Sequence, residues 1–137
     1  MVACKNIMEL IPQRPPFLLI DELLSIENNV ITCCFTIPQK HVLVENGKLS
    51  EAGLVENIAQ TAAAGNGFIA KENDLKIPDG FIAGIKNLKV NSLPAANKKL
   101  ITKVIQLEKI MGYSLIKGEI WTEANFVASC EMKIYCP

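Results

Sequence analysis

Residues 50–72, "SEAGLVENIAQTAAAGNGFIAKE", decide the fold. Ser50 is a fitting N-cap, and Glu51 stands in the first turn, where the helix dipole favours an acid. At 100° per residue, Leu54, Val55, Ile58, Ala59 and Ala62 fall on one apolar arc, so the stretch reads as a long helix. Asn57, Gln60 and Thr61 are expected to face the other way. Glu56 lies on the edge between the two faces, flanked by Ala52, Ala59 and Ala63. Gly65 and Gly67 each weaken an exposed helix by about 1 kcal/mol. Their presence implies that something packs closely here, either a wrapping sheet or a partner chain.

Outward from the helix, the second half reads as four strands: "FIAGIKNLKV", "KKLITKVIQLEKI", "YSLIKGEIWT" and "NFVASCEMKIY". In the last two, apolar and polar residues alternate with the period of a half-buried strand. Short turns between them predict an antiparallel ladder. Before the helix, "VITCCFTI" is a strand bounded by a turn and by Pro38. "FLLIDELLSIE" is apolar and extended, broken by Asp21 and Glu22. "NIMELI" predicts a short helix capped by Asn6 and ended by Pro12. One long apolar helix and five or six antiparallel strands imply an α+β domain with a curved sheet wrapped around the helix. Such a sheet leaves an edge and an apolar face to cover, and dimerisation covers both.

The chain has 137 residues, which suits one domain spanning 1–137. Its 50% apolar and 20% charged composition excludes a disordered chain. Lys+Arg and Asp+Glu both total 14, which argues against a basic nucleic-acid surface. No apolar run reaches the length of a membrane span, and "MVACKNIMEL" lacks a signal-peptide pattern, so a cytoplasmic protein is expected. Five cysteines without a CxxC, beside one histidine, do not predict a disulfide scaffold or a zinc site. No metal or other cofactor is expected.

The chemistry narrows to two side chains. His41 is the only imidazole, and Ser50 and Ser114 sit in no nucleophile elbow that would make it part of a triad. Neither a GxGxxG motif nor a P-loop is present. A histidine suits a general base, and a carboxylic acid in an apolar surround suits a general acid. His41 and Glu56 have those types, one in a loop and one in the first two turns of the helix. The spacing alone leaves open whether they form an acid/base pair, or are a surface histidine and a half-exposed glutamate.

Four segments then resemble a known family. "IMELIPQRPPFLLIDELLSIE" is similar to the opening of the bacterial 3-hydroxyacyl-(acyl-carrier-protein) dehydratases of the FabZ type. "GLVENIAQTAAA" resembles their central helix, "GFIAGIKNLKV" their F-A-G-I strand, and "FVASCEMKIY" their last strand. The resemblance implies a hotdog fold, a curved antiparallel sheet around one central helix. It also implies a homodimer, in some members a trimer of dimers; a heterodimer with a paralogue is the alternative. In that family each active site takes a histidine from the loop of one subunit and a glutamate from the helix of the other. Glu56 occupies the glutamate position and His41 the histidine position. Glu51, Ala52, Gln60, Phe81, Gly84 and Ile85 fall where the thioester substrate would bind.

The loop before the helix departs from the family. Its usual G-H-F-P-G-x-P-x-x-P-G becomes "KHVLVENGKLSE", and Gln13 replaces the histidine of the first block. The activity implied is dehydration of a 3-hydroxyacyl thioester to the trans-2-enoyl thioester. The substrate would come on acyl carrier protein, docked near Arg14, Lys40, Lys86 and Lys89, or on coenzyme A. A hotdog thioesterase using Glu56 is one alternative. A non-catalytic acyl-binding or partner subunit of a heteromeric dehydratase is another.

Overall fold

The structure is a computed structural model and describes residues 4–137. The leader reading of the N-terminus rests partly on residues 1–3, outside the described residues. The elements run β1 (Glu22–Glu27), β2 (Val30–Thr36), β3 (Val44–Glu45), β4 (Lys48–Leu49), α1 (Glu51–Glu72), β5 (Phe81–Val90), β6 (Lys99–Ile110), β7 (Tyr113–Thr122) and β8 (Asn125–Tyr135). Six strands form one antiparallel sheet in the order β1-β2-β6-β7-β8-β5. The sheet curves around α1 as a hotdog fold, with register shifts in β1, β5, β6 and β8 bending it.

Two-residue reversals close the hairpins. Asn28-Asn29, Asn46-Gly47, Met111-Gly112 and Glu123-Ala124 all have positive φ at both residues. That geometry matches the strands' right-handed twist. The β3–β4 hairpin falls inside the loop between His41 and the helix. Its Asn-Gly pair was the available signal.

Ser50 caps α1 by accepting a hydrogen bond from the Gly53 N–H at 3.2 Å. Leu54 and Ile58 are fully buried against the sheet, with Leu100, Val104, Ile116 and Ile120 among the core residues. Burial of each such side chain contributes roughly 1.5–3 kcal/mol. The small residues admit close neighbours. A methyl group on Gly65 would overlap the Ile31 side chain of β2, and one on Gly67 would overlap the Leu10 carbonyl. Close packing on the helix therefore comes from the sheet on one side and the N-terminal segment on another.

Three expectations need correction. The predicted helix around "NIMELI" is a single 3₁₀ turn, Ile7–Glu9, and Asn6 makes no side-chain cap. Pro12, Pro15 and Pro16 leave no room for a longer helix. Second, residues 17–21 are not strand; strand pairing starts at Glu22. Third, Asn57, Gln60 and Thr61 do not face away from the core. They are 0%, 1% and 0% exposed. The N-terminal segment lies over that side of the helix and bonds Asn57 and Gln60, while Thr61 bonds back to the Asn57 carbonyl.

Candidate active site

Residues 17–19 form a strap bound almost entirely by side chains. Gln60 accepts from the Leu19 N–H at 2.7 Å and donates to the Phe17 carbonyl at 2.9 Å. Asn57 donates to the Leu19 carbonyl at 2.8 Å, and its own oxygen accepts from the Thr102 hydroxyl of β6. Thr61 Oγ1 donates to the Asn57 carbonyl at 2.8 Å. Satisfying these buried groups explains why three polar residues sit inside the helix. Gln60, expected at the substrate, is a fastener of this strap.

His41 takes the remaining strap carbonyl. Its Nε2 lies 3.0 Å from the Leu18 oxygen, and its Nδ1 lies 3.1 Å from the Leu43 backbone nitrogen. A carbonyl only accepts and an amide N–H only donates. The hydrogen therefore sits on Nε2, and the Nδ1 lone pair is occupied. The half-buried ring also meets the edge of Phe35, with centroids 6.2 Å apart. Neither nitrogen is left to accept a proton from a bound molecule.

Glu56 has the opposite surroundings. With Ala59, Ala63 and Asn66 it forms a stripe along the open face of α1, at the helical spacing that puts residues on one side. That stripe floors a cavity of about 230 Å³. Pro12 and Gln13 line it on one side, and Phe81, Ile82, Ile134 and Cys136 on the other. Among the described residues Glu56 has no hydrogen-bond or ion-pair partner. Of the expected substrate residues, Phe81 lines this cavity. Glu51 and Ala52 are exposed at the helix start and line neither described cavity.

Gly84 and Ile85 line a second, larger cavity of about 560 Å³, with the apolar Leu107, Ile110, Met111 and Leu115. Its charged members are Lys86, Glu131 and Lys133, and Glu131 accepts a hydrogen bond from Asn87. The larger cavity contains neither His41 nor Glu56, so the smaller one, which holds Glu56, is the better candidate despite its size. The Arg14 guanidinium, expected at a docking surface, donates instead to the carbonyls of Met8, Ile11 and Gln13. Among the described residues there is no cluster of metal-binding side chains and no helix long and apolar enough to cross a membrane. The sequence reading left Asn66 and Cys136 out of the site. No local pattern pointed to Cys136, because the fold brings it from the far end of the chain.

A curved six-stranded antiparallel sheet around one helix, with a carboxylate on the helix's open face, defines the hotdog dehydratase and thioesterase superfamily. Within it the chain belongs to the ApeP-like family, that of the ApeP dehydratase, which residues 5–137 match. The kinship to hotdog dehydratases expected from the sequence holds at that level. No curated protein matches the chain. Among solved structures it is similar to a chain of the dehydratase heterocomplex ApeI:P from Xenorhabdus doucetiae. That match has 18% identity and a TM-score of 0.87, covering 96% of this chain and 90% of that one. A homologue of HP0420 from Helicobacter felis matches with 14% identity and a TM-score of 0.67, over 97% and 88% of the two chains. A hypothetical thioesterase from Streptococcus pneumoniae, solved with coenzyme A, matches with 10% identity and a TM-score of 0.63, over 84% of each chain. At these identities the solved structures speak to the fold.

Proposed function

We propose that the chain is a subunit of a dehydratase that converts a 3-hydroxyacyl thioester, carried on acyl carrier protein, to the trans-2-enoyl thioester. Its contribution is Glu56, as the acid. The base is a histidine of a second hotdog subunit that closes over the cavity. The base takes the C2 proton as the C3–O bond breaks, and the Glu56 carboxyl gives its proton to the departing hydroxyl, which leaves as water. Return of a proton from the imidazolium to the Glu56 carboxylate, through water, resets the site. The acyl chain lies along Ala59 and Ala63, where small side chains leave room for it.

One observation carries this reading. The Glu56 carboxylate opens onto a cavity without a partner, while both nitrogens of this chain's own histidine are taken by the main chain. A homodimer would need His41 to break both bonds before it could act. A heteromeric assembly, as in the ApeI:P relative, needs no such rearrangement.

The test is hydration of a 2-enoyl thioester by the chain alone and by the assembly recovered with it from its own cells. Activity belongs to the assembly, and Glu56→Gln lowers it by about 10²- to 10⁴-fold, the usual range for a lost general acid. Full activity of the chain alone, abolished by His41→Gln in a folded variant, would assign the base to His41 and reject the two-subunit site.

A further inference from the structure

The Glu56 cavity holds a polar group that this reaction leaves unused. Gln13 lines it, and its Oε1 is buried with no hydrogen-bond partner among the described residues. The neighbouring backbone is held firmly. Arg14 donates to the Ile11 carbonyl at 2.7 Å, to the Gln13 carbonyl at 2.9 Å and to the Met8 carbonyl at 3.0 Å. Only the amide of Gln13 is left unengaged. Orphaned buried oxygens are rare in folded proteins, and each calls for an explanation. A terminal amide turns readily about its last torsion, and its oxygen and nitrogen ends are told apart only by their partners. No hydrogen bond holds that torsion, so a turn of the amide would bring the oxygen to the cavity.

The position of Gln13 along the helix indicates what it would meet. The N-terminal segment from Leu10 to Leu19 runs antiparallel to α1. Leu10 lies against Gly67, while Phe17 and Leu19 are held by Gln60. Gln13 therefore sits between those levels, beyond Glu56 toward the helix C-terminus. Asn66 lines the same cavity ten residues beyond Glu56, about 15 Å along the axis. The reacting carbons belong at Glu56, so an acyl chain extending along Ala59 and Ala63 brings its far part to two amides.

We infer that Gln13 is a specificity-determining residue that accepts a hydrogen bond from an O–H or N–H group on the distal part of the acyl chain. This rests on the acyl chain occupying the Glu56 cavity, as in the function proposed above. A plain alkyl tail would leave the amide unmatched and bury it further. A tail with a hydroxyl gives the oxygen its missing donor. Asn66, further along the helix, offers a second contact to the same group.

The test uses paired 3-hydroxyacyl-pantetheine thioesters of about six to twelve carbons, a span chosen to bracket the roughly 10 Å between the levels of Glu56 and Ala63. Each pair differs only in a terminal hydroxyl against a terminal methyl group. Turnover and calorimetric affinity are measured on the native assembly and on its Gln13→Met variant, which keeps the bulk of the side chain and removes the acceptor. The native assembly favours the hydroxylated member at one chain length by about tenfold in affinity, and Gln13→Met lowers that preference to within about twofold with the melting temperature unchanged. Equal affinity for both members at every length, or a preference that survives Gln13→Met, overturns the assignment. Loss of the methyl-terminated ligand together with the hydroxylated one would mean that Gln13 only shapes the wall, and also overturns it. A hydroxyl preference without turnover retains Gln13 and rejects the dehydration reading alone.

Discussion

The Leu43 N–H donates to Nδ1 of His41 at 3.1 Å, which fixes the ring as the Nε2–H tautomer donating to Leu18. This joins the segment before α1 to the strap. His41→Ala removes both bonds and the contact with Phe35. It should lower stability by about 1–3 kcal/mol, the range for leaving part-buried partners unsatisfied. Urea unfolding measures the loss. No change in midpoint would show that the ring does not hold the strap.

Gln60 is the stronger fastener, because it meets Leu19 and Phe17 at once. Gln60→Leu keeps the volume and strands a buried N–H together with a carbonyl. A loss of about 2–4 kcal/mol is expected. Hydrogen exchange gives an independent reading, since the Leu19 amide should lose protection while the β7 and β8 amides keep theirs in native conditions. Unchanged protection at Leu19 would contradict the clamp.

The two helical glycines should respond unequally to alanine. Alanine gains about 1 kcal/mol of helix propensity at either position. At Gly67 the new methyl meets the Leu10 backbone carbonyl, which can move only with its segment of main chain. At Gly65 it meets the buried Ile31 side chain, Cδ1 and both Cγ atoms, which is side chain and not backbone. Gly67→Ala should therefore cost about 1–3 kcal/mol net, and Gly65→Ala less. Thermal melts of the pair check the order, and a reversed order would contradict it.

Alkaline pH should destabilise the fold through Cys33. Burial pushes its thiol from 9.0 up to about 12, slightly opposed by the neighbouring Thr61. In the unfolded chain the thiol ionises near its ordinary value, so unfolding releases a proton between these limits. The contribution is fully present below pH 9 and is lost as pH rises toward 12, with a size of up to roughly 4 kcal/mol. Urea unfolding at pH 8 and at pH 10.5 should show a steeper loss for the native protein than for Cys33→Ala. Parallel losses would show that the thiol ionises alike in both states.

The long helix and the four later strands are legible because their signals are local. Ser50 and the apolar arc mark α1, and alternation marks β7 and β8, whatever those elements pack against. Glu56 is legible as a site candidate because a lone acid among alanines stands out on a helical projection. The inward turn of Asn57, Gln60 and Thr61 is not legible. Their hydropathy is that of a solvated face, and the Phe17 and Leu19 partners of Asn57 and Gln60 lie about forty positions away.

His41 shows the same division from the other side. Residue type and family resemblance made it the natural base. A base is defined by a free lone pair, and only the folded chain decides which lone pairs are free. The sequence set the helix, its acid and the strands that wrap it, through short-range periodicity and capping. Tertiary structure decided which polar side chains are fasteners and which face an open cavity, because the partners of Asn57, Gln60 and His41 Nε2 come from a distant part of the chain.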